Sequence, residues 1–348
     1  MVTSQPVSLQ SIEPRVLEMV ARSNIKLSAF AAVQEDLRAK GLSSYIELIW
    51  PLPGETLDSF RSGISTLCDN DAQTVIVYSH LLLNNTPIYH QSEQLGLVTR
   101  PAGGDVAEAR IVVGTGHATP ADFAEGMRYF YAVHALHNTR RIRATARYLA
   151  QAGIASYREL LTALAELWRD EPTGDPIAEY VERSIRDADF YDTNNYGLFI
   201  HTVLHSERAM FGGQVRRFVT SQPWWQDPQA RLRYEIDLLN WPYVYSNSPQ
   251  DPLDHDFEFL TVRDRGRRHY TVEVPASHLP LLAESIRLEE TAAADTTRDG
   301  ALLIRVDHKR LQYPFMPTQT LDHNGSYCHG MIEKIENITP VWRVLGPA

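Results

Sequence analysis

A carboxylate that directly follows a strand is the clearest sign of chemistry in this sequence. Residues 45–52 are mostly apolar, the stretch Pro51-Leu52-Pro53-Gly54 can neither continue a strand ladder nor start a helix, and Glu55 comes next. In α/β enzymes, ligands bind in the crevice beyond the carboxyl ends of the strands, so we expect a binding site at this loop. A Pro-Gly turn that only joins a strand to a helix explains the same residues, and this alternative stays open.

Two histidine pairs have the spacing of residues on one helix face. His201 and His205 are four residues apart, and His134 and His137 are three apart. Zinc sites normally need further ligands, and the sequence has no His-Glu-x-x-His motif. We therefore expect both pairs to be packed or solvated rather than metal-bound.

The two cysteines, Cys68 and Cys328, lie far apart, and neither has a second cysteine at ligand spacing. This excludes a self-contained four-cysteine zinc or iron–sulfur site. We expect incidental or buried thiols, and a bond between them stays open, although a reducing cytosol disfavours it. His323 and His329 flank Cys328 and are candidates for lining a substrate pocket. Motifs for nucleoside triphosphates, dinucleotides and a serine nucleophile elbow are absent from the sequence.

The composition indicates an ordinary globular protein. The 348 residues are 43% hydrophobic and 22% charged, with a net charge of −10. This charge gives no electrostatic reason to expect nucleic acid or an anionic membrane as a partner. No apolar stretch approaches the roughly 20 residues of a membrane span, and the first residues lack a signal-peptide pattern, so we expect a cytoplasmic protein.

The elements that must position Glu55 belong to an alternating pattern. Predicted strands at 7–10, 45–52 and 73–83 alternate with predicted helices at 13–21, 28–40 and 57–67, which indicates βα units and a parallel sheet. Three strands are too few to close a barrel, and the first would leave an edge that is normally paired or covered.

Beyond the parallel strands the pattern changes twice. Residues 101–119 contain four glycines and predict a linker, and 120–248 have a helical period and predict a helical domain. Residues 249–348 predict a β-rich region with a hairpin formed by 258–263 and 269–274.

Three blocks of residues, in this order, resemble the cobalamin-dependent branch of the radical S-adenosylmethionine (radical SAM) enzymes. Leu9-Gln10-Ser11-Ile12, followed by Arg22, resembles the element after the fourth barrel strand of the family. Residues 47–60 resemble the fifth strand with its Pro-Gly-Glu-Thr loop, and 75–97 resemble the sixth strand with its Asn-Thr-Pro tail. The resemblance implies an α/β fold in which residues 1–100 form half of an incomplete parallel (βα)6 barrel, its last three strands. A helical region and a small α+β C-terminal region would follow.

The resemblance also implies which residues contact the cosubstrate, S-adenosylmethionine. Arg22 would bind its carboxylate, although an exposed arginine at a helix end explains this position equally well. Gln10 and Ser11 would bond ribose hydroxyls, although capping of the next helix explains Ser11 on local grounds. The full implied set is Gln10, Ser11, Arg22, Ile49, Leu52, Pro53, Gly54, Glu55, Tyr78, Ser79, His80 and Leu81.

The sequence departs from the family in several places. The three-cysteine motif that holds the 4Fe-4S cluster, the first three strands and the cobalamin-binding domain are not in this chain, and Pro51 replaces a usual glycine. These departures predict a truncated product, one piece of a split enzyme, or a gene read from an internal start.

The function implied is that of the C-terminal portion of a C-methyltransferase of secondary metabolism, acting on a small-molecule or peptide-like substrate and inactive alone. The intact enzyme would use S-adenosylmethionine, a 4Fe-4S cluster and cobalamin. The alternative is a non-catalytic binding or scaffold subunit that pairs with a separate chain carrying the cluster. A different α/β enzyme that matches by coincidence is the third reading.

Overall fold

The computed structural model describes most of the chain. The described residues are 4–22, 27–40, 42–102, 109–170, 174–187, 193–243, 245–248, 257–266, 268–286, 288–289, 300–308, 314–316 and 321–348.

Strands and helices alternate at first, then helices dominate, and strands return near the C-terminus. The strands are β1 (Ser4–Gln10), β2 (Ser43–Trp50), β3 (Val75–Ser79), β4 (Leu81–Leu82), β5 (Val98–Pro101), β6 (Arg110–Gly114), β7 (Thr261–Arg265), β8 (His269–Pro275), β9 (Leu288–Glu289), β10 (Ala301–Asp307) and β11 (Val341–Pro347). The α-helices are α1 (Pro14–Met19), α2 (Leu27–Ala39), α3 (Leu57–Asp69), α4 (Pro87–His90), α5 (Pro120–Ala132), α6 (Arg143–Gln151), α7 (Tyr157–Asp170), α8 (Pro176–Asp187), α9 (Thr193–His201), α10 (Arg208–Ser221), α11 (Pro228–Asn240), α12 (Leu279–Ser285), α13 (Leu321–Ile332) and α14 (Ile335–Ile338).

The chain is mixed α/β and divides into two compact units. The first comprises Met1–Asn138, Ser156–Ile200 and Thr320–Lys334, and the second comprises Thr139–Ala155, His201–Gln319 and Ile335–Ala348. The division of the sequence into 1–100, 101–119, 120–248 and 249–348 stays a prediction. Within the segment expected to be a linker, residues 110–114 form β6.

A parallel sheet is the centre of the first unit's N-terminal part. Its order is β1-β2-β3, with β2 in the middle and both pairings parallel. The three predicted strands are therefore confirmed as parallel neighbours, whereas their membership of a half-barrel stays a prediction.

The two faces of β2 differ in how far their side chains are buried. Ile46, Leu48 and Trp50 are 0–4% exposed on one face. Tyr45, Glu47 and Ile49, which alternate with them, are only partly buried. Parallel sheets are usually covered on both faces, so this partly open, polar face is unusual.

The buried face of β2 packs against helices. The ring of Trp50 stacks on Phe60 of α3 at a centroid distance of 4.5 Å, and its Nε1 donates to the carbonyl oxygen of Phe123 in α5 at 3.2 Å. Gly126 of α5 leaves room for this indole, because a Cβ there would lie 2.4 Å from Nε1 of Trp50.

The strand predicted at 73–83 ends earlier than expected. The backbone N–H of His80 donates to the carbonyl of Trp50, but its own carbonyl accepts from Val112 of β6. Leu81 therefore starts β4, which belongs to a separate antiparallel sheet of order β4-β6-β5.

A π-helical turn, Val133–Asn138, follows α5 and contacts the start of β3. The side chain of Asn138 accepts from the N–H of Val75 and donates to its carbonyl, and its amide nitrogen also lies 2.8 Å from Nδ1 of His134. Nε2 of His137 lies 2.8 Å from the carbonyl oxygen of Ala72. Both histidines are buried, so this pair is packed, as expected.

The second unit contains a five-stranded sheet of order β7-β8-β10-β11-β9. The predicted hairpin is confirmed as the antiparallel pair β7–β8. The apolar side of α11 packs against this sheet through a core that includes Leu232, Ile236, Leu239, Val272, Ile304 and Trp342. Among the helices described here, none is long and apolar enough to cross a bilayer.

Candidate functional site

A buried hydrogen bond joins the carboxyl ends of β1 and β2. The hydroxyl of Ser11 donates to Oε1 of Glu55 at 2.7 Å, and the two residues are 2% and 3% exposed. Oε2 of Glu55 is also buried and has no hydrogen-bond partner in the described part of the chain. Burial raises the pKa of Glu55 to about 8, while the bond from Ser11 opposes this shift.

The loop after β2 holds Glu55 in this position through its backbone. Gly54 has φ +89°, which favours glycine, and a Cβ there would lie 2.5 Å from Sδ of Met19. The N–H of Glu55 donates to the carbonyl of Leu52. Thr56, not Glu55, caps α3, through a reciprocal capping box with Ser59. The carboxylate of Glu55 thus takes no part in capping α3.

His80, the residue directly after β3, also contacts the loop after β2. Its Nδ1 lies 3.1 Å from the carbonyl oxygen of Pro51, so the ring links the end of β3 to the loop after β2. Burial lowers the pKa of His80 to about 4, and the imidazole is therefore neutral near pH 7. Ser79, paired with Trp50 in the sheet, is buried as well.

The capping role that the sequence allowed for Ser11 is not seen, because the N-cap residue of α1 is Glu13 and no side-chain capping bond is present. The hydroxyl oxygen of Ser11 accepts from the N–H of Glu13, just before α1, and its hydroxyl donates to Glu55. Gln10 next to it has φ +63°, and the β1–β2 register shifts between Ser8 and Gln10. The end of β1 is therefore irregular where the resemblance implies ribose contacts.

The structure brings together some implied site residues and separates others. Ser11, Gly54, Glu55 and His80 meet around the ends of the parallel strands, together with the buried Leu52 and Pro53 of the same loop. Arg22 is exposed after α1, and its side chain makes no hydrogen bond or ion pair with the described residues.

Tyr78 lies on the open face of the sheet rather than at its carboxyl edge. It hydrogen-bonds Glu47 and is paired in register with Ile49. Leu81 lies in β4, which belongs to the antiparallel sheet.

A polar cluster on the open face was missed by the sequence reading. Glu47 accepts from Ser8 and Tyr78, and Tyr45 bonds Glu333, which follows α13. Burial raises the pKa of Tyr78, and burial together with the charge of Glu333 raises the pKa of Tyr45 to about 12, so both phenols stay neutral donors. The alternation of Tyr45 and Glu47 with apolar residues is the signal that could have revealed this face.

One expected pocket residue does contact this cluster. Nε2 of His329 in α13 lies 3.4 Å from Oε1 of Glu333, and this bond lowers the pKa of Glu333. A close backbone contact with α9 positions α13. A Cβ on Gly197 of α9 would lie 1.7 Å from the carbonyl oxygen of Gly325 in α13. His323 is exposed.

The residues present do not fit an iron–sulfur cluster. Cys68 and Cys328 are both buried and form no disulfide, and no group of three or more metal-ligating side chains is arranged for a metal within the described ranges. The ends of the parallel strands, in contrast, fit a nucleoside. They offer apolar loop residues and a buried carboxyl oxygen of Glu55 that has no partner among the described residues.

No family model matches the chain. Among curated proteins it is similar to the cobalamin-dependent radical SAM methyltransferase TokK of Streptomyces tokunonensis, with 31% identity over 179 residues, 48% of this chain and 26% of that protein. It is also similar to the 2-(S-pantetheinyl)-carbapenam-3-carboxylate methyltransferase of Streptantibioticus cattleyicolor, with 29% identity over 180 residues. These residues again make up 48% of this chain and 26% of that protein. The aligned part spans about a quarter of the length of each relative. The resemblance that the three motif blocks predict is confirmed: over about half of its length, this chain is similar to cobalamin-dependent radical SAM methyltransferases.

Proposed function

We propose that this chain is a portion of a cobalamin-dependent radical SAM C-methyltransferase of secondary metabolism. In this proposal the carboxyl ends of β1, β2 and β3 hold the adenosyl part of S-adenosylmethionine. The observation that carries it is the Ser11–Glu55 bond, which leaves a buried Glu55 oxygen without a partner beside the turn at Gly54. The similarity to two such methyltransferases supports it.

The chain's own residues bind and orient the nucleoside. Leu52 and Pro53 supply an apolar surface for the adenine base. Glu55, when its carboxyl group is protonated, donates a hydrogen bond from Oε2, and when ionised it accepts one from a ribose hydroxyl. When bound, S-adenosylmethionine supplies the radical chemistry, and the protein excludes water and fixes the geometry.

The parallel sheet supports the further proposal of a half-barrel. Among the described residues, β1 pairs with β2 alone, which leaves its other edge available for a neighbouring strand. We place the missing strands, the three-cysteine motif and the cobalamin domain outside this chain. With only the buried Cys68 and Cys328 present, the chain by itself holds no 4Fe-4S cluster and is inactive.

The substrate is proposed to be a small or peptide-like secondary metabolite. One relative is named for its action on a carbapenam that carries a pantetheinyl group. This name supports a small-molecule substrate for the intact enzyme.

Equilibrium dialysis with radiolabelled S-adenosylmethionine tests the binding site. The wild-type chain is expected to bind, Glu55→Leu to lose binding, and Glu18→Gln, which changes an exposed acid of α1, to bind like the wild type. Equal binding by wild type and Glu55→Leu would contradict the assigned site.

Reconstitution with iron, sulfide and S-adenosylmethionine tests the predicted inactivity. We expect neither a cluster nor cleavage of S-adenosylmethionine by this chain alone. Activity restored by a second chain carrying the cysteine motif would support the split enzyme. Complex formation without any activity would favour the scaffold subunit instead.

A further inference from the structure

Two histidines of the second unit lie at a π-helical turn, Thr202–Ser206: His201 directly precedes the turn and His205 lies within it. Nδ1 of His201 lies 2.7 Å from the hydroxyl oxygen of Tyr245, and Nδ1 of His205 lies 3.5 Å from Oγ of Ser248. In proteins, a hydrogen bond at one ring nitrogen orients an imidazole whose other nitrogen binds a metal. π-Helical turns also occur frequently at functional sites.

The remaining ring nitrogens are available. Neither Nε2 of His201 nor Nε2 of His205 has a hydrogen-bond partner among the residues described. Neither atom is among the fully buried polar atoms that lack a partner. Both therefore face space that solvent can enter. The centroids of the two rings are 5.2 Å apart. Two imidazoles that bind one tetrahedral zinc ion through Nε2, with Zn–N bonds of about 2 Å, hold their centroids about 5 Å apart.

The surroundings fix the two rings in place. The ring of Tyr245 meets both imidazoles edge-on, at centroid distances of 5.6 Å and 4.9 Å. The ring of Phe315 lies 5.7 Å from His201 and 4.6 Å from His205. Because these contacts restrict rotation of the rings, little conformational entropy is left to lose when a ligand binds.

A neighbouring cation, Arg208, is hydrogen-bonded to the chain after α11. The guanidinium of Arg208 donates to the carbonyl oxygens of Pro242 and Trp241, at 2.7 Å and 3.2 Å. It also lies over the indole of Trp241, 3.7 Å from the ring centroid. These contacts hold the guanidinium of Arg208 against the chain after α11.

We propose that His201 and His205 form a binding site for a divalent transition-metal ion such as Zn²⁺, with both Nε2 atoms as ligands and water at the other positions. This goes beyond the expectation that the pair is merely packed, because spacing alone did not reveal how the rings are oriented. Within the described residues no third side chain completes the set, which predicts an open coordination sphere. The site is independent of the proposed methyltransferase function.

The test is metal titration of the protein after removal of any polyhistidine tag. Isothermal calorimetry with ZnCl₂ is expected to give one site in the wild type and none in His201→Ala or His205→Ala. His117→Ala, which removes an exposed histidine of the first unit, is the control and should bind like the wild type. Unchanged binding in either pair variant, or equal loss in the control, would overturn the proposal.

Two further measurements keep both metal-binding histidines in place. Tyr245→Phe removes the oxygen bonded to Nδ1 of His201 and should weaken zinc binding about tenfold. With Cu²⁺, electron paramagnetic resonance of the wild type should show coupling to two imidazole nitrogens. A spectrum without such coupling contradicts the site even if the variants fail to fold.

Discussion

The hydroxyl of Ser11 lies 2.7 Å from Oε1 of Glu55, and this buried bond ties the loop after β1 to the loop after β2. The two residues are 44 positions apart in sequence and lie just after neighbouring parallel strands. Because the second oxygen of Glu55 has no partner among the described residues, the pair both stabilises the edge of the sheet and leaves one hydrogen-bonding position unused. Stability and the proposed binding at this edge therefore involve the same two side chains.

Replacing Ser11 with alanine is expected to destabilise the first unit. The variant leaves Glu55 buried without its hydroxyl donor and removes the acceptor for the N–H of Glu13, at a cost of about 1–3 kcal/mol. Urea unfolding followed by circular dichroism measures this change. Ser326→Ala, on an exposed position of α13, should change the free energy of unfolding by less than about 0.5 kcal/mol. Equal effects of the two substitutions would show that the Ser11 bond contributes nothing.

The stability of the protein should depend on pH through Glu55. Its pKa is raised from 4.5 to about 8 in the folded state, so between these values the folded state holds a proton that the unfolded state has lost. This contribution to stability is fully present below pH 4.5 and is lost as the pH rises towards 8, with a slope of at most about 1.4 kcal/mol per pH unit. Glu55→Gln keeps a neutral side chain, and its unfolding free energy should fall less steeply with pH than that of the wild type.

Comparing the two proteins by urea unfolding from pH 6.5 to 8 isolates this group. Glu235 and Asp237, whose pKa values burial raises to about 7 and about 6, contribute equally to both proteins and cancel in the difference. Parallel pH profiles for the wild type and Glu55→Gln would show that the carboxyl group is ionised at neutral pH in the folded state.

Local sequence patterns predicted the parallel sheet and the loop at its edge, but not the polar open face. The parallel pairing followed from βα alternation, and the loop that carries Glu55 followed from a Pro-Gly break after a strand. The partners of Glu55 and Tyr45, namely Ser11 and Glu333, come from distant segments, and periodicity carries no information about such contacts. Orientation of the rings of His201 and His205 likewise depends on residues after α11. Side-chain contacts between residues far apart in the sequence are thus the part of the structure that the sequence patterns did not predict.

The close contact between α5 and Trp50 predicts opposite outcomes for two glycine substitutions. Gly126→Ala places a Cβ within 2.4 Å of the buried indole, so we expect a loss of about 1–3 kcal/mol. A Cβ on Gly330, in α13, has no atom within 4 Å. Gly330→Ala should therefore be neutral or stabilising by up to about 1 kcal/mol, through helix propensity.

Thermal unfolding and tryptophan fluorescence measure both glycine variants. Gly126→Ala should also shift the emission of the protein, because the indole of Trp50 moves from its stacked position on Phe60. If Gly126→Ala were as stable as Gly330→Ala, the packing between α5 and β2 would be looser than described.

The N-terminus of α6 depends on one buried carboxylate of α11, and its removal should loosen that helix. Asp237 is 1% exposed and accepts from the N–H groups of Ala144 and Thr145 and from the hydroxyl of Thr145, at 2.8–2.9 Å. Asp237→Ala leaves these three donors buried without a partner and should cost about 3 kcal/mol. Asp237→Asn keeps one acceptor oxygen and should cost less. Amide hydrogen exchange of residues 143–151 measures the local effect, and we expect faster exchange in the order wild type, Asp237→Asn, Asp237→Ala. Unchanged exchange in Asp237→Ala would mean that water caps α6 equally well.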